Sequence, residues 1–106
     1  MRLLFLCSRN QWRSPTAEKV YQNDARVEVK SAGVSPAARR RVSARLLLWA
    51  DVVLVMEHEH KERLRMQFPE LVRELRIEVL DIPDDYPFMD AELQGLIRER
   101  VEPLLG

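Results

Sequence analysis

The sequence predicts an α/β fold: a small three-layer sandwich in which a four-stranded parallel sheet carries helices on both faces. Three observations predict it. Short apolar or β-branched runs alternate with helix-like segments four times along the chain. The connections between them are short, which together with right-handed crossovers favours parallel neighbours. Two of the runs, Leu3 to Leu6 and Asp51 to Met56, are apolar almost throughout, as strands buried on both faces are.

Each element has a local reason. After the first run, Ser14-Pro15 offers a capping hydroxyl followed by proline at the first helical position, so a helix is expected to about Asn23. Val27 to Ser31 alternates as a strand does, with Ala32-Gly33 ending it. Ser43 is placed to cap a short helix from Ala44 to Trp49. Asp51 to Met56 follows as the third strand. His58 to Gln67 reads as helix and stops before Pro69, with a further turn over Glu70 to Glu74. Arg76 to Leu80 is the fourth strand. From Asp90, an N-cap, to Leu105, apolar residues recur at Leu93, Leu96, Ile97, Val101 and Leu104 and make one buried stripe.

Composition narrows the function. The 106 residues suit one domain over 1–106, with a core that needs no staple. Seventeen basic and seventeen acidic residues cancel, so no global charge draws the chain to nucleic acid or to an anionic membrane. A single cysteine cannot form an internal disulfide, and the apolar start is too short for a leader or a span. A cytoplasmic protein is expected, with no membrane partner; the charge balance gives no reason to expect a nucleic-acid partner but leaves one open.

The chemistry gathers at the end of the first strand. Residues 7 to 16 read C-S-R-N-Q-W-R-S-P-T, and they leave a strand to enter a helix. In such sheets ligands bind beyond the carboxyl ends of the strands, where the strand order reverses. The amides of Ser8, Arg9, Asn10, Gln11 and Trp12 can converge on one point that the helix dipole makes electropositive. An anion is expected there. Cys7 at its floor is a candidate nucleophile, since such a cup favours the thiolate. Arg13 can present a planar fork to two oxygens of an oxyanion. Ser14 can hydrogen-bond the sulfur. These are the parts for displacement at phosphorus.

The motif Cys7-x5-Arg13-Ser14-Pro15-Thr16 resembles the signature of low-molecular-weight protein tyrosine phosphatases, which carry it directly after the first strand. The resemblance continues in Asn10, which matches the family's loop-bracing asparagine, and in Ser31-Ala32-Gly33. It runs on through Ala44-Arg45 and Asp51 to Met56, and through Asp81-Ile-Pro-Asp84-Asp85-Tyr86, which is similar to the segment that supplies the family's general acid. It implies a metal-independent, cofactor-free phosphomonoesterase that forms a cysteinyl-phosphate. The catalytic residues implied are Cys7, Arg13 and Asp84, with Ser8 to Ser14 cradling the phosphoryl group of a phosphotyrosine protein or small phosphomonoester. Four departures accompany the resemblance. Arg9 stands at the family's usual glycine, Trp12 at a frequent second cysteine, and Asp85 at the proline that follows the acid. Only nine residues separate Gly33 from Ser43, where the family carries a longer insertion whose aromatics grip phosphotyrosine.

Alternatives stay open at this level. A phosphatase needs one carboxyl to protonate the leaving group. Asp84 follows a proline and precedes Tyr86, an aromatic expected to wall the pocket, while Asp85 is its rival. Glu57-His58-Glu59-His60 does not space its histidines as a helical zinc site requires, so no metal is expected. Arg39-Arg40-Arg41 with Arg45 reads as a solvated basic turn, the alternative being a pocket rim that attracts acidic or nucleic-acid substrates. An arsenate reductase resolved by an external thiol, or a non-catalytic module that binds a phosphorylated ligand, would carry the same loop.

Overall fold

A computed structural model describes all residues, 1–106. The strands are β1 (Arg2–Cys7), β2 (Glu28–Gly33), β3 (Val52–Val55) and β4 (Ile77–Val79). The helices are α1 (Arg13–Tyr21), α2 (Ala44–Trp49), α3 (His58–Gln67), α4 (Pro69–Val72) and α5 (Ala91–Leu105). The strands form one sheet in the order β2-β1-β3-β4, with every neighbouring pair parallel. The fold class read from the sequence is the one observed.

The sheet is buried on both sides because β1 alternates between two cores. Leu3, Phe5 and Cys7 face one cluster with Ala17 and Tyr21 of α1 and Leu93, Ile97 and Val101 of α5. Leu4 and Leu6 face the other, with Leu46 and Leu47 of α2, Leu64 of α3 and Val72 of α4. That is the period of two expected of a strand, with a layer of helices on either face. Truncating any of these leucines to alanine costs about 2–5 kcal/mol.

Several boundaries differ from the sequence reading. β2 runs on through Ala32 and Gly33, since Gly33 pairs with Cys7 at the end of β1. The first helix ends at Tyr21, short of Asn23, and Trp12 occupies its cap position without a side-chain hydrogen bond. Ser14 is therefore not an N-cap. Its hydroxyl is buried and turned to the neighbouring loop, where it has other partners. The other two caps are present: Ser43 accepts from the backbone of Leu46 at 3.2 Å, and Asp90 from that of Leu93 at 3.1 Å.

The chain leaves β1 toward β2 on one side and crosses later to β3 on the other. The order reverses between β1 and β3, so their carboxyl ends open a crevice. The loop after β1 and the start of α3 after β3 meet there. No helix is long and apolar enough to cross a membrane.

Candidate active site

The loop after β1 is held from behind and left open in front. None of the backbone N–H groups from Ser8 to Arg13 donates a hydrogen bond within the protein. Buried amides are normally paired, so a run of free ones at the N-terminus of α1 marks a place for an anion. Asn10 gives the loop its shape. Its backbone is left-handed, at φ 55°, which asparagine tolerates better than most residues. Its side chain donates to Ser14 Oγ and to Ser31 Oγ, both at 2.9 Å. Ser31 in turn donates to Glu18.

Gly33 lies directly behind the loop. A Cβ there would stand 2.5 Å from the carbonyl oxygen of Ser8, 2.6 Å from the methyl of Ala38 and 3.0 Å from the amide nitrogen of Asn10. The segment beyond it runs alongside the loop, with Val34, Ser35 and Arg39 donating backbone hydrogen bonds to the carbonyls of Cys7, Ser8 and Arg9. Three of the nine residues before Ser43 thus brace the loop.

In front of the loop is a cavity of about 260 Å³ lined by Cys7, Ser8, Arg9, Gln11, Trp12, Arg13 and Asp84. Cys7 is buried, and its Sγ lies 2.9 Å from Ser14 Oγ. Arg13 is only 3% exposed. Its Nη1 donates to Glu57 Oε1 at 2.5 Å and to the carbonyl of Ile82 at 2.9 Å. Those two bonds fix the plane of the guanidinium and leave Nε and Nη2 without hydrogen-bond partners. Nε faces Asp84 Oδ1 at 3.6 Å across the cavity. Trp12, 46% exposed, forms part of the rim.

The remaining candidates are placed differently. Asn10, Ser14 and Ser31 stand behind the lining as braces. Asp85 is exposed and does not line the cavity. Tyr86 packs against the core beside α1 and α5 and is not among the residues that line the cavity. The hydroxyl end of a tyrosine needs water, and its ring needs apolar neighbours, which that core edge supplies. No three His, Cys, Asp or Glu side chains converge to hold a metal ion.

Two contributors were not read from the sequence, Glu57 and His60. They form a reciprocal cap at the start of α3: Glu57's carboxylate accepts from the His60 backbone, and His60 Nδ1 accepts from the Glu57 backbone at 3.1 Å. His60 is 1% exposed, and its Nε2 lies 3.1 Å from Ser8 Oγ. Burial, and then the Arg13 cation nearby, lowers its pKa to about 4, so the ring is neutral. The available signal was positional. With a helix expected from His58, Glu57 is its N-cap and His60 the third residue in, the spacing of a capping box.

No family model matches the chain. A curated protein-arginine-phosphatase of Geobacillus stearothermophilus is 34% identical over 93 residues, covering 65% of this chain and 63% of that protein, so the match spans less than two thirds of the relative. Among solved structures, the YwlE arginine phosphatase of Geobacillus stearothermophilus is 28% identical, with a TM-score of 0.71, and the match covers 98% of this chain and 87% of that one. A low-molecular-weight protein tyrosine phosphatase from T. tengcongensis is also 28% identical, with a TM-score of 0.74 and coverage of 97% and 99%. A YwlE mutant from Bacillus subtilis, 24% identical, shares the fold over 100% of this chain and 99% of its own, with a TM-score of 0.74. Fold and relatives agree: the chain strongly matches the low-molecular-weight protein-tyrosine-phosphatase and arsenate-reductase fold family.

Proposed function

We propose that the protein is a metal-independent phosphatase that works through a cysteinyl-phosphate on Cys7. One observation carries the reading: Cys7 Sγ lies at the floor of a cavity whose loop amides are all unpaired and whose arginine is held by Nη1 alone. A phosphoryl group seated there accepts from the amides and from Nε and Nη2 of Arg13. Sγ then faces phosphorus from the side opposite the leaving group. The S–P bond forms as the bond to the leaving group breaks, and Asp84, on the cavity wall, gives its proton to the departing atom. Water then attacks phosphorus and passes a proton back to Asp84. The S–P bond breaks, and inorganic phosphate leaves with Cys7 again a thiolate. Ser14, 2.9 Å from the sulfur, stabilises that thiolate by a hydrogen bond. The amides and Arg13 stabilise the equatorial oxygens in both steps.

The substrate has two candidates. A phosphotyrosine protein or small phosphomonoester is implied by the motif. A phosphoarginine protein is favoured by the relatives named arginine phosphatases and by Trp12 and Asp84 on one cavity. An aromatic face and a carboxylate are both complementary to a guanidinium. Turnover of nitrophenyl phosphate, a phosphotyrosine peptide and a phosphoarginine peptide by pure protein tests both. Release of phosphate from any of them supports the phosphatase reading, and the ratio of kcat/KM values names the substrate. Phosphate binding with no turnover of any would favour a non-catalytic binding module. An arsenate reductase would instead reduce arsenate with an added small thiol.

A further inference from the structure

The hydrogen bond between Ser8 and His60 has a direction that the surrounding atoms fix. A backbone N–H can only donate, and that of Glu57 points to His60 Nδ1 at 3.1 Å. Nδ1 must therefore carry a lone pair. In a neutral ring the single proton then sits on Nε2. Nε2–H donates to Ser8 Oγ, 3.1 Å away, and the serine oxygen is the acceptor. The hydroxyl proton of Ser8 is left over. It has no acceptor in the protein, because the contact with His60 is the only side-chain hydrogen bond Ser8 makes. Ser8 lines the cavity above Cys7.

Resting on the anion-site reading above, we propose that Ser8 donates its hydroxyl hydrogen bond to an oxygen of the bound phosphoryl group, and that His60 is the positioning residue that aims it. The site then has a side-chain donor in addition to the loop amides and Arg13. Its orientation is set from the cap of α3, the same cap whose Glu57 holds Arg13. Two donors on the pocket wall are thus fixed by one helix start. A serine without the histidine would rotate freely and would spend part of its time with its proton turned away.

Inorganic phosphate binding, measured by titration calorimetry, is the test. Ser8→Ala should weaken it about tenfold, the loss of one hydrogen bond to a charged acceptor. Ser8→Thr, which keeps the hydroxyl, should stay close to wild type. His60→Asn keeps an acceptor where Nδ1 lies but is too short to reach Ser8, so it should weaken binding while leaving the α3 cap in place. Since both act through one proton, Ser8→Ala with His60→Asn should bind no worse than Ser8→Ala alone. Nitrogen chemical shifts of the wild-type histidines give a check that needs no variant: His60 should be protonated at Nε2. Phosphate affinity unchanged in Ser8→Ala, losses that add in the double variant, or a proton on Nδ1 would each overturn the proposal alone. Wild-type protein that takes up no phosphate would overturn the anion-site reading and this proposal with it.

Discussion

Gly33→Ala is a substitution of one methyl group, outside the cavity, that should disable the site. The added carbon would meet the Ser8 carbonyl oxygen at 2.5 Å, the Ala38 methyl at 2.6 Å and the Asn10 nitrogen at 3.0 Å. Two of the three are backbone atoms of the anion-binding loop itself, so no flexible side chain can move aside. Restoring ordinary contact needs the loop to retreat by about 1 Å, and a misplacement of that size costs on the order of 10²-fold in rate. Overpacking should cost about 1–3 kcal/mol of stability in addition. Gly95→Ala is the control. That glycine sits in α5 with nothing within 4 Å of the added carbon, so alanine there should stabilise by about 0.5–1 kcal/mol. The assays are urea unfolding midpoints and kcat/KM on nitrophenyl phosphate. Gly33→Ala with wild-type midpoint and rate would refute the claim that close packing behind the loop sets its shape.

Arg13→Lys keeps the charge but loses the fork, and lysine cannot bond Glu57 and Ile82 while also facing phosphate. Turnover should fall by at least about 10²-fold, measured as kcat and not only as KM. Asp84→Asn should impair phenyl or alkyl phosphates far more than nitrophenyl phosphate, whose leaving group needs little protonation, by about 10²-fold or more. Asp85→Asn, outside the cavity, should show no such leaving-group dependence; the reverse pattern would move the acid to Asp85. His60 has a folded pKa lowered to about 4 from 6.5. Its contribution is thus complete above 6.5 and is lost as pH falls toward 4, because the unfolded chain takes up a proton that the folded one refuses. The difference reaches about 3 kcal/mol, and His60→Asn should remove that part of the pH dependence of the urea midpoint.

The strands were legible because burial on both faces leaves an unbroken apolar run, as at Leu3 to Leu6 and Val52 to Val55. The helices followed from caps and periodicity: Ser43, Asp90 and the stripe through Leu93, Ile97 and Val101 all appear where the pattern put them. Ser14 did not, since a serine before proline reads as a cap and only the folded loop turns its hydroxyl to the sulfur. The cavity lining from Cys7 to Arg13 is contiguous in sequence and so was visible in one motif. Glu57 and His60 lie some fifty residues away and act through contacts between the start of α3 and the loop that follows β1, which local pattern does not encode. The same holds for Gly33, whose role is the space it leaves for another segment.

The covalent step is tested most directly by mass spectrometry of the protein quenched in acid during turnover of nitrophenyl phosphate, with Asp84→Asn used to slow hydrolysis of the intermediate. The account predicts one phosphoryl group per chain, mapped to Cys7, and no turnover in Cys7→Ser. Phosphate release that persists in Cys7→Ser would contradict it.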